Sequence, residues 1–171
     1  VAARQKSSLS IALLLEIHKT VLRNIPAKGI GQLRVSSVVV GHQGLAGITV
    51  KHNPPAHNEA EIRKLLDEFF EWVNGKREES PFVVAGIIHH CLAEIHPFFD
   101  GNGRVARLTT SYYLLTHGYE VSKYFILDDY YDMDRLLYSD KLHSADSGDA
   151  TEWLNYFLEG IVYSLQAALS R

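Results

Sequence analysis

The sequence has little of several things, and each shortage excludes a class of protein. Of its 171 residues only one, Cys91, is cysteine, so no disulfide can form within the chain and nothing requires an oxidising compartment. The longest apolar run, from Pro81 to Ile88, is far shorter than the roughly 20 residues that a membrane-spanning helix needs. We therefore expect a cytoplasmic protein with no membrane partner.

An excess of charge is also missing. Lysine and arginine total 17 against 20 aspartates and glutamates, which gives a net charge of -3. A protein that binds nucleic acid through its phosphates needs a basic face, so we expect no nucleic-acid partner. With 46% hydrophobic residues the chain is too apolar for disorder, and its length suits one domain over residues 1–171. The first residue is Val1 rather than Met, so we expect a fragment of a longer chain.

Helical patterns dominate, so we predict a mainly α fold. Apolar residues recur at helical spacing after Asn58, which forms a capping box with Glu61, and after Ser80, where Pro81 suits a first helical turn. Further helices are predicted from Leu9 to Leu22, from Asn102 to a stop at Gly118, from Tyr131 to Lys141, and from Asp149 onward.

One stretch departs from the helical pattern. Between Leu33 and Val50, β-branched residues lie on both sides of three glycines, which predicts a β-hairpin with a glycine-rich bend. A lone hairpin is barely stable in water, so this one must pack on the helices. His42 and His52 bracket the bend, and we expect both to be exposed polar residues.

The segment that carries chemistry joins the helix after Ser80 to the helix that begins near Asn102. It reads His96-Pro97-Phe98-Phe99-Asp100-Gly101-Asn102-Gly103-Arg104-Val105-Ala106-Arg107. Its second half lies at a predicted helix N-terminus, where free N–H groups and the positive end of the helix dipole attract anions. Gly101 and Gly103 leave the backbone bare enough for phosphate oxygens to come close.

Other side chains of this segment suit the same chemistry. Arg104 and Arg107, three apart on a helix, share a face and can bind phosphate oxygens in bidentate fashion. The Asp100 carboxylate, placed beside phosphates, suits Mg²⁺. His96 suits a general base, because imidazole has an ordinary pKa near neutrality. Phe98 is expected to anchor the loop in the core.

The segment resembles the signature of the Fic family, H-x-F-x-[DE]-G-N-G-R-x-x-R, with every specified position matched. The resemblance implies a Fic-fold helical bundle with a small β-hairpin flap over the active site, here about residues 33–52. It also implies transfer of AMP from ATP to a Ser, Thr or Tyr hydroxyl of a target protein, with release of pyrophosphate. The implied partners are ATP, Mg²⁺ as cofactor, and a target protein bound along the flap; a homo-oligomer is left open.

Carried over to this sequence, the resemblance implies a role for each motif residue. His96 deprotonates the target hydroxyl, and Asp100 holds the Mg²⁺. The Gly101-Asn102-Gly103 turn cradles the phosphates. Arg104 orients the β- and γ-phosphates, and Arg107 pairs with the γ-phosphate.

Two features depart from the family pattern. Where many members have Asn-Arg followed by paired tyrosines, this chain has Asp134-Arg135 followed by Tyr138, and the resemblance implies that Tyr138 stacks on the adenine base. The inhibitory pattern [ST]-x-x-x-E-[GN] has no complete match. We therefore expect an inhibitory helix upstream of Val1, and a fragment less inhibited than its parent.

The sequence leaves alternative functions open. Within the family they are transfer of phosphate or another nucleotide moiety, and removal of AMP; from another class, a nucleotide-binding interaction module without catalysis. A phosphate-transferring relative is expected to alter the second glycine of the turn, which is intact as Gly103, and removal of AMP needs a glutamate that is not evident here. The intact His96 and Asp100 disfavour the module.

A zinc site is a further alternative, suggested by His89, His90, Cys91 and His96. The sequence has no second pair of ligands at the spacing that tetrahedral zinc sites usually show. We predict that Cys91 is a buried, inert thiol, and that one of His89 and His90 is packed while the other is solvated.

Overall fold

The computed structural model describes residues 8–44, 47–119 and 127–170, which form seven α-helices and one antiparallel β-hairpin. In chain order the elements are α1 (Ile11–Leu22), β1 (Val40–Gly44), β2 (Gly47–His52), α2 (Glu59–Asn74), α3 (Pro81–Ile95), α4 (Asn102–Thr116), α5 (Leu127–Met133), α6 (Arg135–Ser144) and α7 (Thr151–Leu169). The mainly α prediction is confirmed. None of the described helices combines the length and the apolar composition needed to cross a membrane.

The chain divides into two compact units. The first, which we call the motif unit, consists of Leu9–Gly75 and Cys91–Ala106. The second, the aromatic unit, includes Lys76–His90 and residues 107–170. Helices α3 and α4 each contribute residues to both units, so the predicted motif belongs to the motif unit up to Ala106 and to the aromatic unit at Arg107.

The two long N-terminal helices of the motif unit begin at side-chain caps. Ser10 Oγ accepts from the backbone N–H of Leu13 at 3.3 Å. Asn58 Oδ1 accepts from Glu61 N at 3.0 Å, and the Glu61 carboxylate accepts from His57 N at 2.7 Å. The first bond satisfies an N–H group that has no helical partner and confirms the predicted N-cap, whereas the Glu61 carboxylate reaches back to the residue before the cap instead of to the N–H of Asn58 itself. The bond from His57 also helps to hold the pKa of Glu61 below its ordinary value.

The hairpin is shorter than predicted. The strands pair from Gly44 opposite Gly47 to Val40 opposite His52, whereas residues 33–39 are not strand. The N–H of Arg34 donates to the carbonyl of Pro97 at 2.9 Å, so it is not available to a strand partner in the hairpin. Leu45 and Ala46, in the predicted bend, lie outside the described residues, as does the side chain of His42.

His52, expected to be exposed, is buried. Its Nε2 lies 2.8 Å from the carbonyl oxygen of Glu94 in the last turn of α3. The expectation was wrong because the last residue of β2 packs against the helix instead of facing water. This contact is one way in which the hairpin gains the support that two isolated strands lack.

In the aromatic unit, α3 and α7 pack closely where Gly86 leaves room. A Cβ at Gly86 would lie 2.7 Å from the Leu154 side chain, and the Gly86 carbonyl accepts the indole N–H of Trp153 at 2.8 Å. The rings that pack around Trp153 are those of His89, Tyr131, Tyr138, Tyr156 and Phe157. These rings form the core of the aromatic unit.

Two histidine predictions and one helix prediction are corrected in this unit. His89 and His90 are both buried, so neither is the solvated residue that was expected. The single helix predicted from Tyr131 to Lys141 is two helices, α5 and α6. The helix is interrupted at Asp134, which has an extended backbone. Its Oδ1 accepts from Leu137 N at 2.9 Å and so caps α6.

Candidate active site

His96 lies where α3 ends, in a backbone conformation that residues other than glycine rarely adopt. Its φ is +50°, in the left-handed region, which costs a non-glycine residue roughly 1–2 kcal/mol. The following residue, Pro97, disfavours continuation of the helix. His96 Nδ1 lies 3.3 Å from the carbonyl oxygen of Ala93. Because a carbonyl can only accept, that bond requires the proton on Nδ1 and leaves Nε2 of the neutral ring as the basic atom.

The loop after His96 is closed by a reciprocal pair of hydrogen bonds. Asn102 Oδ1 accepts from Phe98 N at 2.9 Å, and Asn102 Nδ2 donates to Phe98 O at 2.9 Å. Asn102 and Phe98 are both buried, and the Phe98 ring confirms its predicted role as an anchor. The side-chain amide of Asn102 is therefore hydrogen-bonded to the loop backbone. If Asn102 contributes to an anion cradle, it does so through its backbone N–H.

His18 on α1 packs against this loop and hydrogen-bonds to it. The sequence patterns did not reveal this contact. Its ring stacks on Phe98 with a centroid distance of 3.8 Å and an interplanar angle of 4°. Nδ1 accepts from Gly31 N at 2.8 Å, so Nε2 carries the proton that is donated to the Asp100 carbonyl at 3.1 Å. Burial lowers the pKa of His18, and the neighbouring Arg104 lowers it further, while Asp100 opposes both.

We expect a pH dependence of stability from His18. Its pKa is lowered on folding, so its contribution is complete above about 6.5, its unfolded value, and is lost as the pH falls from 6.5 through the folded value. In His18→Gln an amide can accept from Gly31 and donate to Asp100 without titrating. The unfolding free energies of wild type and His18→Gln can be measured with urea from pH 7.5 to 4.5. As the pH falls, wild type should lose stability relative to the variant. A constant difference would contradict the assignment.

The Gly101 turn forms the entrance to α4. Gly101 has φ +80°, a conformation that strains any other residue, and a Cβ there would lie 3.3 Å from the Leu22 side chain, which would have to shift slightly. Its N–H donates to Asp100 Oδ1 at 2.6 Å, and the Gly101 carbonyl accepts the first bond of α4 from Val105 N at 2.9 Å. The N–H groups of the first turn of α4 have no helical partner and suit an anion.

Asp100 and Arg104 flank this turn. Arg104 Nη2 lies 3.4 Å from Asp100 Oδ1, and the Asp100 side chain is half exposed. Both this contact and the bond from Gly101 fall on Oδ1, so neither uses Oδ2. A half-exposed carboxylate beside a helix N-terminus that suits an anion is the kind of donor that Mg²⁺ takes, so Asp100 fits the predicted ion.

Arg107 and Tyr138 come together in the aromatic unit. Arg107 forms an ion pair with Asp128 at the start of α5 and a side-chain hydrogen bond with Tyr138. The Tyr138 hydroxyl lies 2.9 Å from His89 Nε2, and its ring stacks on Tyr131 at 4.4 Å between centroids. Burial raises the pKa of Tyr138 to about 12, so it is neutral at physiological pH. Stacking of Tyr138 on adenine stays a prediction.

Cys91 was predicted to be a buried, inert thiol; the residue is only partly buried, but its high pKa fits an inert thiol. Burial raises its pKa to about 12, and the nearby Glu94 adds to the shift. A thiol with so high a pKa is almost wholly protonated near neutral pH, whereas the thiolate is the reactive and metal-binding form.

The structure thus gathers His96, Asp100, the Gly101-Asn102-Gly103 turn and Arg104 on one short bend of the motif unit. Two supporting residues were missed by sequence analysis, His18 and Arg34. His18 could have been suspected, because it falls on the apolar stripe of α1 with Leu14 and Leu22. For Arg34 no sequence signal is evident, since the motif residues that it contacts lie about 60 residues away along the chain.

Comparison with known proteins identifies the family. Residues 8–114 match the model of the Fic/DOC family, well over half of the chain. The chain belongs to the Fic/DOC family. Curated relatives include a protein adenylyltransferase Fic of Drosophila ananassae, 35% identical over 118 residues, and that of Drosophila grimshawi, 34% identical, each match covering 67% of this chain. The chain spans about a fifth of the length of these relatives, 21% and 22%.

Solved structures of Fic proteins have the same fold. A Fic family protein from Desulfovibrio desulfuricans G20 superposes with a TM-score of 0.79 and 25% identity, covering 96% of this chain and 48% of that one. Fic-1 (residues 134–508) from C. elegans superposes with a TM-score of 0.67 and 24% identity, covering 95% of this chain and 44% of that one. The predicted Fic fold is confirmed.

Proposed function

We propose that this Fic-family chain transfers AMP from ATP to a hydroxyl of a target protein and releases pyrophosphate. The observation that carries the proposal is the bend at residues 96–104, where an imidazole, a half-exposed carboxylate and a bare helix N-terminus follow one another in the full family motif. The name of the curated relatives, protein adenylyltransferase Fic, supports the same reaction.

In this proposal His96 is the general base. Its Nε2 removes the proton of the target Ser, Thr or Tyr hydroxyl as the oxygen attacks the α-phosphorus. An O–P ester bond forms, and the bond between the α-phosphorus and the bridging oxygen of pyrophosphate breaks. The Ala93 carbonyl stabilises the protonated ring through Nδ1–H, so the arrangement suits a base that becomes charged during the step.

The remaining motif residues bind and orient the nucleotide. We assign the phosphates to the N-terminal N–H groups of α4, with Arg104 on the β- and γ-phosphates and Arg107 on the γ-phosphate. Asp100 would hold Mg²⁺, which when bound neutralises charge on the phosphate oxygens. Positioning and charge neutralisation are expected to supply most of the acceleration for such a displacement.

The target protein is assigned to the hairpin. Among the described residues β1 and β2 pair only with each other, so each strand has one edge without a strand partner. An extended peptide can add to such an edge through main-chain hydrogen bonds, which need no particular side chains. This placement would bring many different hydroxyl-bearing segments to one site. A cytoplasmic location and a homo-oligomer stay predictions.

We expect Asp128→Asn to tighten ATP binding, because Asp128 competes with the γ-phosphate for Arg107. The Arg107–Asp128 pair is partly exposed, and such pairs are worth about 0.2–1 kcal/mol, which corresponds to a roughly 1.5- to 5-fold lower Kd. Calorimetry with Mg²⁺–ATP and with AMP would test this, since AMP has no γ-phosphate. The control is Asp132→Asn. Asp132 lies on α5 like Asp128, but it forms an exposed ion pair with Arg135 instead of with Arg107. An equal gain for AMP and ATP would contradict the assignment.

The proposed reaction is tested by the position of a label. The chain is incubated with Mg²⁺ and ATP labelled at either the α- or the γ-phosphate, and label in protein is measured. Transfer of α-label that is lost in His96→Ala supports AMP transfer. Transfer of γ-label would instead indicate a phosphotransferase, and bound ATP with no transfer of either label would indicate a binding module.

A further inference from the structure

Arg34 is a fully buried cation close to the motif. Its guanidinium donates to the carbonyl oxygens of His96 (2.6 Å), Ser36 (2.8 Å), Ala56 (2.8 Å) and Ile95 (3.3 Å). All four of these partners are neutral backbone groups. A buried cation is expensive unless its donors are satisfied, so these bonds, together with the electrostatic attraction of the Glu61 carboxylate, explain how the fold tolerates it.

One residue thus bonds three successive carbonyls. The guanidinium bonds those of Ile95 and His96, and the backbone N–H of Arg34 bonds that of Pro97 at 2.9 Å. The last carbonyls of a helix have no helical partner and form the negative end of its dipole. A planar guanidinium presents several N–H groups in a fixed fork, so it can satisfy two of them at once and complement their charge.

These bonds enclose the residue with the left-handed backbone. A conformation such as the φ of +50° at His96 persists only where the surroundings hold it. The bond from Arg34 Nε to the carbonyl of His96 fixes the peptide plane that follows the His96 Cα. The bond from the guanidinium to the Ile95 carbonyl fixes the peptide plane that precedes the His96 Cα. Rotation of either plane would redirect the imidazole.

The same guanidinium also bonds both stems of the hairpin. Ser36 precedes β1 and Ala56 follows β2, so their carbonyls lie on the two chain segments that enter and leave the hairpin. His52, the last residue of β2, adds a contact to the Glu94 carbonyl in the last turn of α3. Hairpin stems and the His96 turn therefore share one buried group.

We propose that Arg34 is a positioning residue that keeps the imidazole of His96 in register with the target segment held by the hairpin. The proposal rests on the proposed function for the identity of the reaction. It predicts an effect on the chemical step rather than on nucleotide binding, because none of the four carbonyls belongs to the phosphate-binding turn.

Arg34→Lys tests the proposal. A lysine keeps the charge but cannot bond the same set of carbonyls from one fixed plane. We expect the kcat for transfer of α-label from Mg²⁺–ATP to fall about 100-fold, the loss typical of a reacting group displaced by about 1 Å, while the KM for Mg²⁺–ATP changes less than twofold. Arg63→Lys, an exposed arginine of the same unit that pairs with Glu59, is the control and should change neither.

The position of the imidazole can be measured without turnover. The Cε1–H resonance of His96, assigned by its loss in His96→Ala, should move in Arg34→Lys and stay in place in Arg63→Lys. If Arg34→Lys does not fold, the neutral Arg34→Gln takes its place. An unmoved resonance with full kcat overturns the proposal. The proposal is also overturned if the loss of activity is accompanied by a comparable fold-loss of nucleotide affinity and by a lower melting temperature. That combination is the result expected of a purely structural role.

The two proposals fail in different ways. If wild type transfers no α-label, the proposed function fails, and the His96 resonance of the Arg34 variants still decides whether Arg34 positions the ring. If wild type transfers α-label and Arg34→Lys behaves like Arg63→Lys in both measurements, only the positioning proposal fails.

Discussion

Replacing His96 by alanine is expected to lower the rate of AMP transfer about 1000-fold while leaving the affinity for Mg²⁺–ATP within about twofold. Removal of a general base typically costs 10²–10⁴ in rate, because the hydroxyl is a poor nucleophile until its proton is taken. The side chain of His96 contacts the Ala93 carbonyl through Nδ1, and the turn that we propose to bind the phosphates begins several residues later. The variant should therefore bind nucleotide normally, which rapid-quench measurement of a single turnover and calorimetry would separate.

The control for this prediction is another histidine of the motif unit. His57 is exposed, and its side-chain contact is with Ser37 Oγ at 3.2 Å, so His57→Ala removes an imidazole without touching the motif. It should transfer AMP at the wild-type rate. If His96→Ala loses ATP binding to the same extent as activity, the ring belongs to the nucleotide site, and its assignment as the base is wrong.

Local rules predicted the helices well. The Asn58–Glu61 box, Pro81 in a first turn and Gly118, which adopts φ +90° after α4, each act within a few residues of themselves. Such signals depend on the backbone nearby and can be read from sequence. The break between α5 and α6 was missed for a related reason. Asp134 was compared with a family asparagine as a ligand contact, although an aspartate in that position is also a good N-cap.

The supports of the candidate site could not be predicted, because they join distant parts of the chain. His18 and Asp100 are 82 residues apart, and Arg34 and His96 are 62 apart. Spacing and periodicity describe single elements, so they identify the motif string but not what holds it. The motif predicts a base at His96, whereas its left-handed backbone is enclosed by hydrogen bonds from Arg34 that only the folded chain assembles.

The amide of Asn102 illustrates how a motif residue can act through structure. Asn102→Ala removes both bonds to Phe98 and leaves a buried N–H and a buried carbonyl without those partners. Each unsatisfied group costs about 1–3 kcal/mol, so we expect the free energy of unfolding to fall by about 2–6 kcal/mol, measured by urea titration at pH 7.5. Nucleotide affinity should also fall, because the turn at the start of α4 loses the clamp that closes it.

A matched control for this clamp exists elsewhere in the motif unit. Asn74 makes the same pair of bonds to the backbone of Leu9, at 2.9 and 2.8 Å, but it is exposed and lies at the end of α2. Asn74→Ala should cost less, because water can replace the lost bonds, and it should leave nucleotide binding unchanged. Similar losses of stability and affinity in the two variants would show that the Asn102 clamp has no special role in the turn.

Asn102→Asp separates the two hydrogen bonds by pH. Its carboxylate could still accept from Phe98 N, but the other oxygen would face the Phe98 carbonyl in a buried site, which favours the protonated acid and raises its folded pKa. A raised folded pKa gives stability that is complete below the unfolded value, about 3.9, and lost as the pH rises through the folded value. Relative to Asn102→Ala, this variant should therefore gain stability on acidification from pH 7.5 to 5, because protonation restores a donor to the carbonyl. A difference between the two variants that stays constant over this range would mean that the acid has left the loop, and that the reciprocal bonds do not set the geometry of the turn.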